Sequence, residues 1–292
     1  MFAAGAGGCG SEGATSGTAA APGNAAGSGT SAPTGPLAPD SSIDLIHAAL
    51  RAKNPAYNGL AQGEYQGSSL AVLVLADTGV VDLSPLAGLR LQMLDLTNTP
   101  VADLSPLRGM PLREIFLEGT KVADLGPLAG MRLEQIYCGK TPVTNIEPLR
   151  GAPLSMVNLV ETQVKDLSPL RGAPLRSLWL NKVPVADLGP LAGSPLESLT
   201  IVGTEVGDIS VVRNLPGLQR LHLAETPVTD LTPLDGLRLT RLVFTPKRIT
   251  AGLAAARRLP ACQEIGTRFD DTGNDLMPPQ QFWPALEAGT IR

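Results

Sequence analysis

The sequence predicts an α/β repeat solenoid, an arc with parallel strands on its concave face and short helical turns on its convex side, and three observations predict it. Asp82, Asp103, Asp124, Asp166, Asp187 and Asp208 recur at a step of 21 residues, with Asn145 filling the one gap in that step and Asp230 following at 22, where Pro216-Gly217 adds a residue. Fixed self-similarity at this length means stacked coils rather than the separate domains that 292 residues would otherwise suggest. Between the acids, leucines alternate with varied residues over a short window, as in Leu94 and Leu96, which is the period of a strand with one face turned inward. Finally, 32 Gly and 26 Pro stand against only 3% aromatic residues, so the core is aliphatic and the turns are frequent.

In chain order, residues 1–40 are nearly all Gly, Ala, Ser, Thr and Pro, without a Lys or Arg. They offer too little apolar surface to offset the entropy of ordering, and a disordered tether is expected. Gly5, Gly7 and Gly10 there spell G-x-G-x-x-G, but no strand precedes the motif and no βαβ unit follows, so it is read as composition. Residues 41–69 form an N-terminal cap: Ser41-Ser42 precedes Ile43, Ile46 and Leu50 at helical spacing, and Asn54-Pro55 ends the run. The repeats occupy 70–249. In 250–292, a C-terminal cap and tail, Thr250 is expected to cap a short helix through Arg257-Arg258, and 262–265 reads as a last strand. The ring pair Phe282-Trp283 can seal the end of the stack.

Each repeat carries a recurrent text, VVDLSPLAG at 80–88, VADLSPLRG at 101–109, VADLGPLAG at 122–130 and VKDLSPLRG at 164–172 among others. It alternates with L-x-x-L-x-L-x-x-T, as in Leu91, Leu94, Leu96 and Thr99. These rows resemble the leucine-rich repeat, in particular the short internalin-like class of bacterial proteins, whose turns end in D-L-S-P-L. The resemblance implies a leucine-rich-repeat horseshoe that binds protein partners. One departure is systematic: Thr78, Thr99, Thr120, Thr141, Thr162, Thr204 and Thr226, with Val183 once, stand where the common repeat has Asn or Cys. A Thr hydroxyl there can bond nearby backbone as the chain leaves the strand. The valine that follows turns inward, the Asp caps a helical turn that tolerates an early Pro, and glycines such as Gly109 release the chain in a left-handed conformation. Cys138, at an inward leucine place, and Cys262, at a first-leucine place, are expected to be buried, inert thiols.

The flanks resemble segments beside leucine-rich repeats in planctomycete and related bacterial proteins, on the strength of NPAYNG at 54–59 and the Phe-Trp tail. Some of those relatives carry serine/threonine kinase domains, which opens a reading as the recognition arm of a kinase-linked signalling system. No V-A-I-K, H-R-D or D-F-G occurs in this chain. Near the start, Ala6-Gly7-Gly8-Cys9 looks like the cleavage box of a bacterial lipoprotein, although no basic residue precedes it and only eight residues stand before the cysteine. Acylation at Cys9 would place the protein at the cell envelope; a plain flexible leader, and a cytoplasmic location, is the alternative.

Parallel strands stack about 4.8 Å apart, so equivalent places in successive coils form columns. The column between the two inward leucines holds Val74, Asp95, Phe116, Tyr137, Asn158, Trp179, Thr200, His222 and Val243. Glu118 and Asn181 stand two residues after it, and Arg220 two before. Three large rings turned outward in so ring-poor a chain suggest a covered surface. Phe116, Tyr137, Asn158, Trp179, His222, Asp95, Glu118, Asn181 and Arg220 are therefore the candidate partner contacts, for a protein or peptide. Ring stacking that stabilises the sheet, by about 0.2–1 kcal/mol per pair, is the competing explanation.

Other function classes fit poorly. A net charge of -4 without a basic block argues against nucleic acid, and three scattered cysteines make no zinc set. No run of about 18 apolar residues could cross a bilayer, which leaves Cys9 as the one membrane attachment considered. The acids Glu114, Glu161 and Glu225 lie along an open surface, and His47 falls on the capping helix. His222 is the one candidate base, and it has neither a G-x-S-x-G elbow nor a nucleophilic cysteine beside it. Neither catalysis, metal nor cofactor is expected. A passive spacer at the cell envelope is the remaining alternative, and a hydrolase using His222 the weakest.

Overall fold

Short strands form wherever two inward leucines bracket one outward residue, and the computed structural model, which describes residues 37–270 and 273–291, stacks them into one sheet. The described residues belong to a single compact unit. Cys9 and the glycines at 5, 7 and 10 lie outside them. Helix α1 (Ile43–Lys53) leads into β1 (Gln62–Gln66) and β2 (Ser69–Val74), which pair antiparallel. Then come β3 (Met93–Asp95), β4 (Glu114–Phe116), β5 (Gln135–Tyr137), β6 (Met156–Asn158), β7 (Ser177–Trp179), β8 (Ser198–Thr200), β9 (Arg220–His222), β10 (Arg241–Val243) and β11 (Glu264–Gly266). From β2 to β11 every strand pairing is parallel and in sequence order, so the sheet stays open and curves as a leucine-rich-repeat arc. The antiparallel opening departs from this parallel face. Register along the parallel strands is unbroken: Asp95 faces Phe116, Phe116 faces Tyr137, and Asn158 faces Trp179.

The core follows the leucine alternation. Leu94, Ile115, Ile136, Val157, Leu178, Leu199, Leu221 and Leu242 are fully buried, as are Val101, Val122, Val143 and Val164 after the strands. At about 25 cal/mol per Å² of apolar surface, such columns supply most of the stabilisation, and no coil could bury its leucines without its neighbours.

The threonine column behaves as its hydroxyls dictate. Each is buried and donates to the carbonyl three residues earlier, at 2.6 Å from Thr99 to Leu96 and from Thr141 to Cys138, and at 2.7 Å from Thr162 to Leu159. The acidic column caps the convex turns, by a route one residue earlier than a helix N-cap. The turns are short 3₁₀ turns such as Ser105–Leu107, their cap residue is a leucine or isoleucine, and Asp103 Oδ1 accepts from Ser105 N at 2.8 Å. Asn145 does the same for Glu147 N at 2.8 Å. Ser105, Ser168, Ser210 and Thr232 also donate their hydroxyls to the second carboxylate oxygen, at 2.8 Å in both Ser168–Asp166 and Thr232–Asp230. These bonds, the backbone one first, hold Asp103, Asp166 and Asp230 below the usual aspartate range.

The ends bring corrections. Leu37 to Asp40, assigned to the tether on composition, pack on the stack: Leu37 is buried and Pro39 O accepts from Leu70 N at 2.8 Å. Beyond α1, Asn54 is itself buried. Its Oδ1 accepts from Val81 N and Asp82 N at 2.8 and 2.7 Å, and its amide donates to Asp82 O, which bolts the capping helix to the first coil. His47 packs on Tyr57, whose hydroxyl lies 2.5 Å from His47 Nδ1. Thr250 does not cap the next helix; its hydroxyl bonds Thr229 O, and α2 (Leu253–Arg257) starts from Gly252 at φ 80. A Cβ at Gly252 would meet Thr232 N at 2.1 Å, so chain crowding places the start there. Two short strands, β12 (Phe269–Asp270) and β13 (Gly273–Asn274), precede α3 (Pro279–Glu287). On α3, Phe282 and Trp283 meet edge to face at 5.1 Å, both pack on Phe244, and Arg257 covers the Trp283 ring at 5.0 Å, closing the stack. Cys138 is fully buried and its thiol is pushed up to about 12. Cys262, expected to be buried, is only half so, because its place lies on the terminal coil; burial still lifts it to about 11. No helix is long and apolar enough to cross a membrane among the described residues.

Two outcomes follow. Thr141→Val should cost about 1 kcal/mol in chemical denaturation through its lost hydroxyl bond, while Val183→Thr, restoring the column, should be neutral or stabilising. The lowered aspartate values mean that folding favours the ionised form, so this stabilisation is complete above the ordinary value of 3.8 and lost as pH falls through the lowered ones. Calorimetry of the Asp103→Asn, Asp166→Asn, Asp230→Asn triple variant should therefore show a thermal midpoint that falls less steeply below about pH 4 than the wild type's.

Candidate protein-binding face

The outward column is set by the strand windows themselves. In Glu114-Ile115-Phe116 the isoleucine is inward and fully buried, which forces residues 114 and 116 onto the concave side, and the coil continues to Glu118 two places on. Phe116, Tyr137, Asn158 and Trp179 are all half-buried. Phe116 and Tyr137, direct ladder partners, stack with centroids 4.8 Å apart and planes at 15°, which matches the strand spacing. Tyr137 and Trp179 are two strands apart, about 9.6 Å at that spacing, yet their centroids lie 6.1 Å apart at 32°. The two rings therefore lean together over Asn158. The result is a half-buried aromatic ridge from β4 to β7.

The polar members hold the ridge in place. Asp95 Oδ1 and Asn158 Oδ1 each accept from the backbone N–H two residues on, Thr97 at 2.8 Å and Val160 at 2.9 Å. The Tyr137 hydroxyl donates to Met156 Sδ at 3.4 Å, and burial, with Glu114 adding its charge, raises that phenol above the usual tyrosine value. Glu118 sits 3.9 Å from Lys140 Nζ. Arg220 is exposed, and Asn181 is half-buried with its Oδ1 enclosed and without a hydrogen-bond partner.

The C-terminal end of the column departs from expectation. Thr200, His222 and Val243 are buried rather than displayed. In the ladder Val243 faces Gly266, where a Cβ would meet Asp275 Oδ1 at 2.6 Å and Leu276 Cδ2 at 3.0 Å, because the tail crosses back over the outward side of the last coil. Met277 bridges Ile265 antiparallel, and Asp275 accepts from Thr267 N and Arg268 N, fixing that return. His222 thus leaves the set of contacts. Burial, then Arg241 and Arg220, press it down to about 4, so it is neutral at physiological pH and sealed from solvent. The glycine at the outward place of β11 was the sequence signal for this closure.

A second edge column also escaped the sequence reading. Asp77, Asn98, Lys140, Glu161, Lys182 and Glu225 adopt left-handed φ between 55 and 59 just past the strands, in the place held by Gly119 and Gly203 in other coils. Glu161 and Glu225, expected merely to be solvated, serve this turn, and Glu161 also pairs with Lys182 at 2.9 Å. A groove of about 680 Å³, lined by Arg90, Gln92, Met110, Arg113 and Arg132, runs along the edge where the chain enters the strands and contains none of the column residues. Among the described residues no cluster of His, Cys, Asp and Glu could hold a metal ion.

No protein-family model matches the chain, and no curated protein matches it. Solved structures do. Internalin C2 of Listeria monocytogenes is 25% identical, with a TM-score of 0.60 over 68% of this chain and 92% of that one. The fold is an internalin-type leucine-rich-repeat arc. A second Listeria monocytogenes internalin, inlF, superposes with a TM-score of 0.57 at 21% identity, over 75% of this chain and 73% of its own. A leucine-rich-repeat protein of Leptospira interrogans follows at 0.45 and 19%, over 63% and 55%.

In this internalin-type arc the ridge should register as a coupled unit. A double-mutant cycle of Phe116→Ala with Tyr137→Ala should give a coupling of about 0.5–1.5 kcal/mol in urea unfolding, and the cycle of Tyr137→Ala with Trp179→Ala a smaller one, as the tilt and longer distance require.

Proposed function

We propose that the chain is a non-catalytic recognition scaffold that docks a protein or peptide on its concave face, along the ridge of Phe116, Tyr137 and Trp179. The half-open ridge itself carries this reading: three half-buried rings in a chain whose aromatic share is 3% stand in one stack near the middle of the sheet, with Met93 and Met156 half-buried on the same outward side. Rings and methionines on a preformed surface lose little conformational freedom on binding, which makes them strong anchors. Asp95, Glu118, Asn158, Asn181 and Arg220 supply the polar rim. The general role as a protein-interaction scaffold fits the internalin-type fold, and the concave location is our inference from the ridge.

The stacking explanation and the docking explanation make different demands. Stacking requires the rings to touch one another, whereas docking requires part of each ring to stay reachable, and their half-burial supports the second alongside the first. A hydrolase built on His222 would need a reachable base, and a passive spacer would need no apolar ridge.

Affinity capture from envelope and cytoplasmic fractions, with the full chain as bait, tests the proposal. Tyr137→Ala with Trp179→Ala should abolish capture of specific proteins at a cost in stability of about 1–2 kcal/mol, small enough to leave the arc folded, while the convex-side variant Arg171→Ala retains capture. Equal capture by both variants, or none by the wild type, would reject concave docking.

A further inference from the structure

The concave face is electrically polarised. Phe116 is flanked on its own coil by Glu114 and Glu118 and faced across the ladder by Asp95. Residues two apart on a strand lie about 7 Å apart and ladder partners about 5 Å, so three carboxylates surround one ring. The outward places of β3 to β6 otherwise hold Met, Gln, Tyr and Asn, with no base. Asp95 and Glu114 enter no ion pair among the described residues, and Glu118 meets Lys140 only at 3.9 Å. Five strands further along, the sign reverses at Arg220 and Arg241, the latter already bound to Glu264 at 2.6 Å.

The fold uses only part of that acid ring. Asp95 spends one oxygen on Thr97 N, Glu114 accepts only a long bond of 3.4 Å from Gln135, and Glu118 meets Lys140 at 3.9 Å, so each carboxylate keeps acceptor capacity for an outside group. A cation arriving from outside would be attracted by all three. It would also find the outer face of Phe116 on the Asp95 side of the stack, the face turned away from Tyr137, on which a weakly hydrated guanidinium or a lysine ammonium is held electrostatically. An anionic segment would meet three like charges at the same place.

Resting on the docking reading above, we propose that the occupant of the concave face is an extended, basic peptide segment of a protein partner, with an Arg or Lys side chain seated on the outer face of Phe116 among Asp95, Glu114 and Glu118. The aromatic ridge supplies the apolar contact and the carboxylates select the charge. Basic side chains are drawn to the β3–β5 end and repelled from Arg220, which also sets the direction in which the segment lies.

A phage-displayed library of random dodecapeptides, panned on the immobilised full chain and counter-panned on the Tyr137→Ala, Trp179→Ala variant, tests this. Ridge-dependent peptides should be enriched in Arg and Lys. Synthetic copies should bind about tenfold more weakly to the Asp95→Asn, Glu114→Gln, Glu118→Gln triple variant and weaken with added salt, while Arg171→Gln on the convex side changes nothing. Glu114→Gln alone, which touches only the 3.4 Å bond, should show part of the same loss if the triple variant proves poorly folded. Ridge-dependent peptides without basic enrichment, or with equal affinity for wild type and the carboxylate variants, would overturn the cation assignment and leave concave docking standing. Failure to recover any ridge-dependent peptide would overturn both.

Discussion

The unbroken parallel register is the constraint on which everything else in the arc depends. A three-residue strand is far too short to persist alone, and each coil presents a row of leucines that only the next coil can cover. Because Leu94, Ile115, Ile136, Val157 and Leu178 must lie one above another in a dry column, the residue on either side of each is fixed on the outer face at a spacing of about 4.8 Å. A slip of one residue in any coil would turn its inward leucine to solvent and its outward residue into the core. The core therefore determines the geometry of the surface, while leaving the chemistry of the outward places almost free.

That separation explains what can be read from the chain. The period, the buried leucines, the hydroxyl column and the convex caps are local rules repeated, and each was legible because one mechanism recurs at a fixed step. Even Asn145 and Val183, the exceptions, are informative: Asn145 keeps the acceptor that the turn needs without its charge, and Val183 keeps the inward volume without the hydroxyl bond. What escaped was non-repeating. That the Asn54 side chain would bolt α1 to Val81 and Asp82 follows from a contact across 27 residues, which no local pattern encodes. The return of the tail over Gly266 is of the same kind, and it removes His222 and Val243 from a column that periodicity alone would leave open. The left-handed edge was hidden for another reason. Its five charged residues look like ordinary solvated surface, and only the glycines at 119 and 203 betray the backbone conformation they share.

The two ends are treated unequally, and the difference bears on the site. The C-terminal coil is sealed by Phe244, Phe282 and Trp283 and its strand edge is bridged at Ile265 by Met277, so most of the core is covered there and the edge is partly paired. The N-terminal end is closed by α1 and an antiparallel hairpin, yet Leu60 and Val81 remain exposed. The sealing of the far end draws the open part of the concave face back to the middle of the arc, where the ridge stands on coils with complete neighbours on both sides. A ridge at a fraying terminus would lose its rigidity to local opening. In the middle of the ladder it inherits the stability of the whole stack.

Rigidity of this kind decides how charge can be used. In a pliable surface, carboxylates placed beside an aromatic pair would swing apart to relieve their repulsion, and any cation would have to gather them again at an entropic cost. Here the backbone positions of residues 95, 114 and 118 are fixed by the same ladder that stacks Phe116 on Tyr137, so the charges are held near the rings before a partner arrives. The placement of those charges is then a property of the empty arc, and the folding energy of the leucine columns is what maintains it. Burial on one side of the sheet thus fixes the pattern of charge on the other.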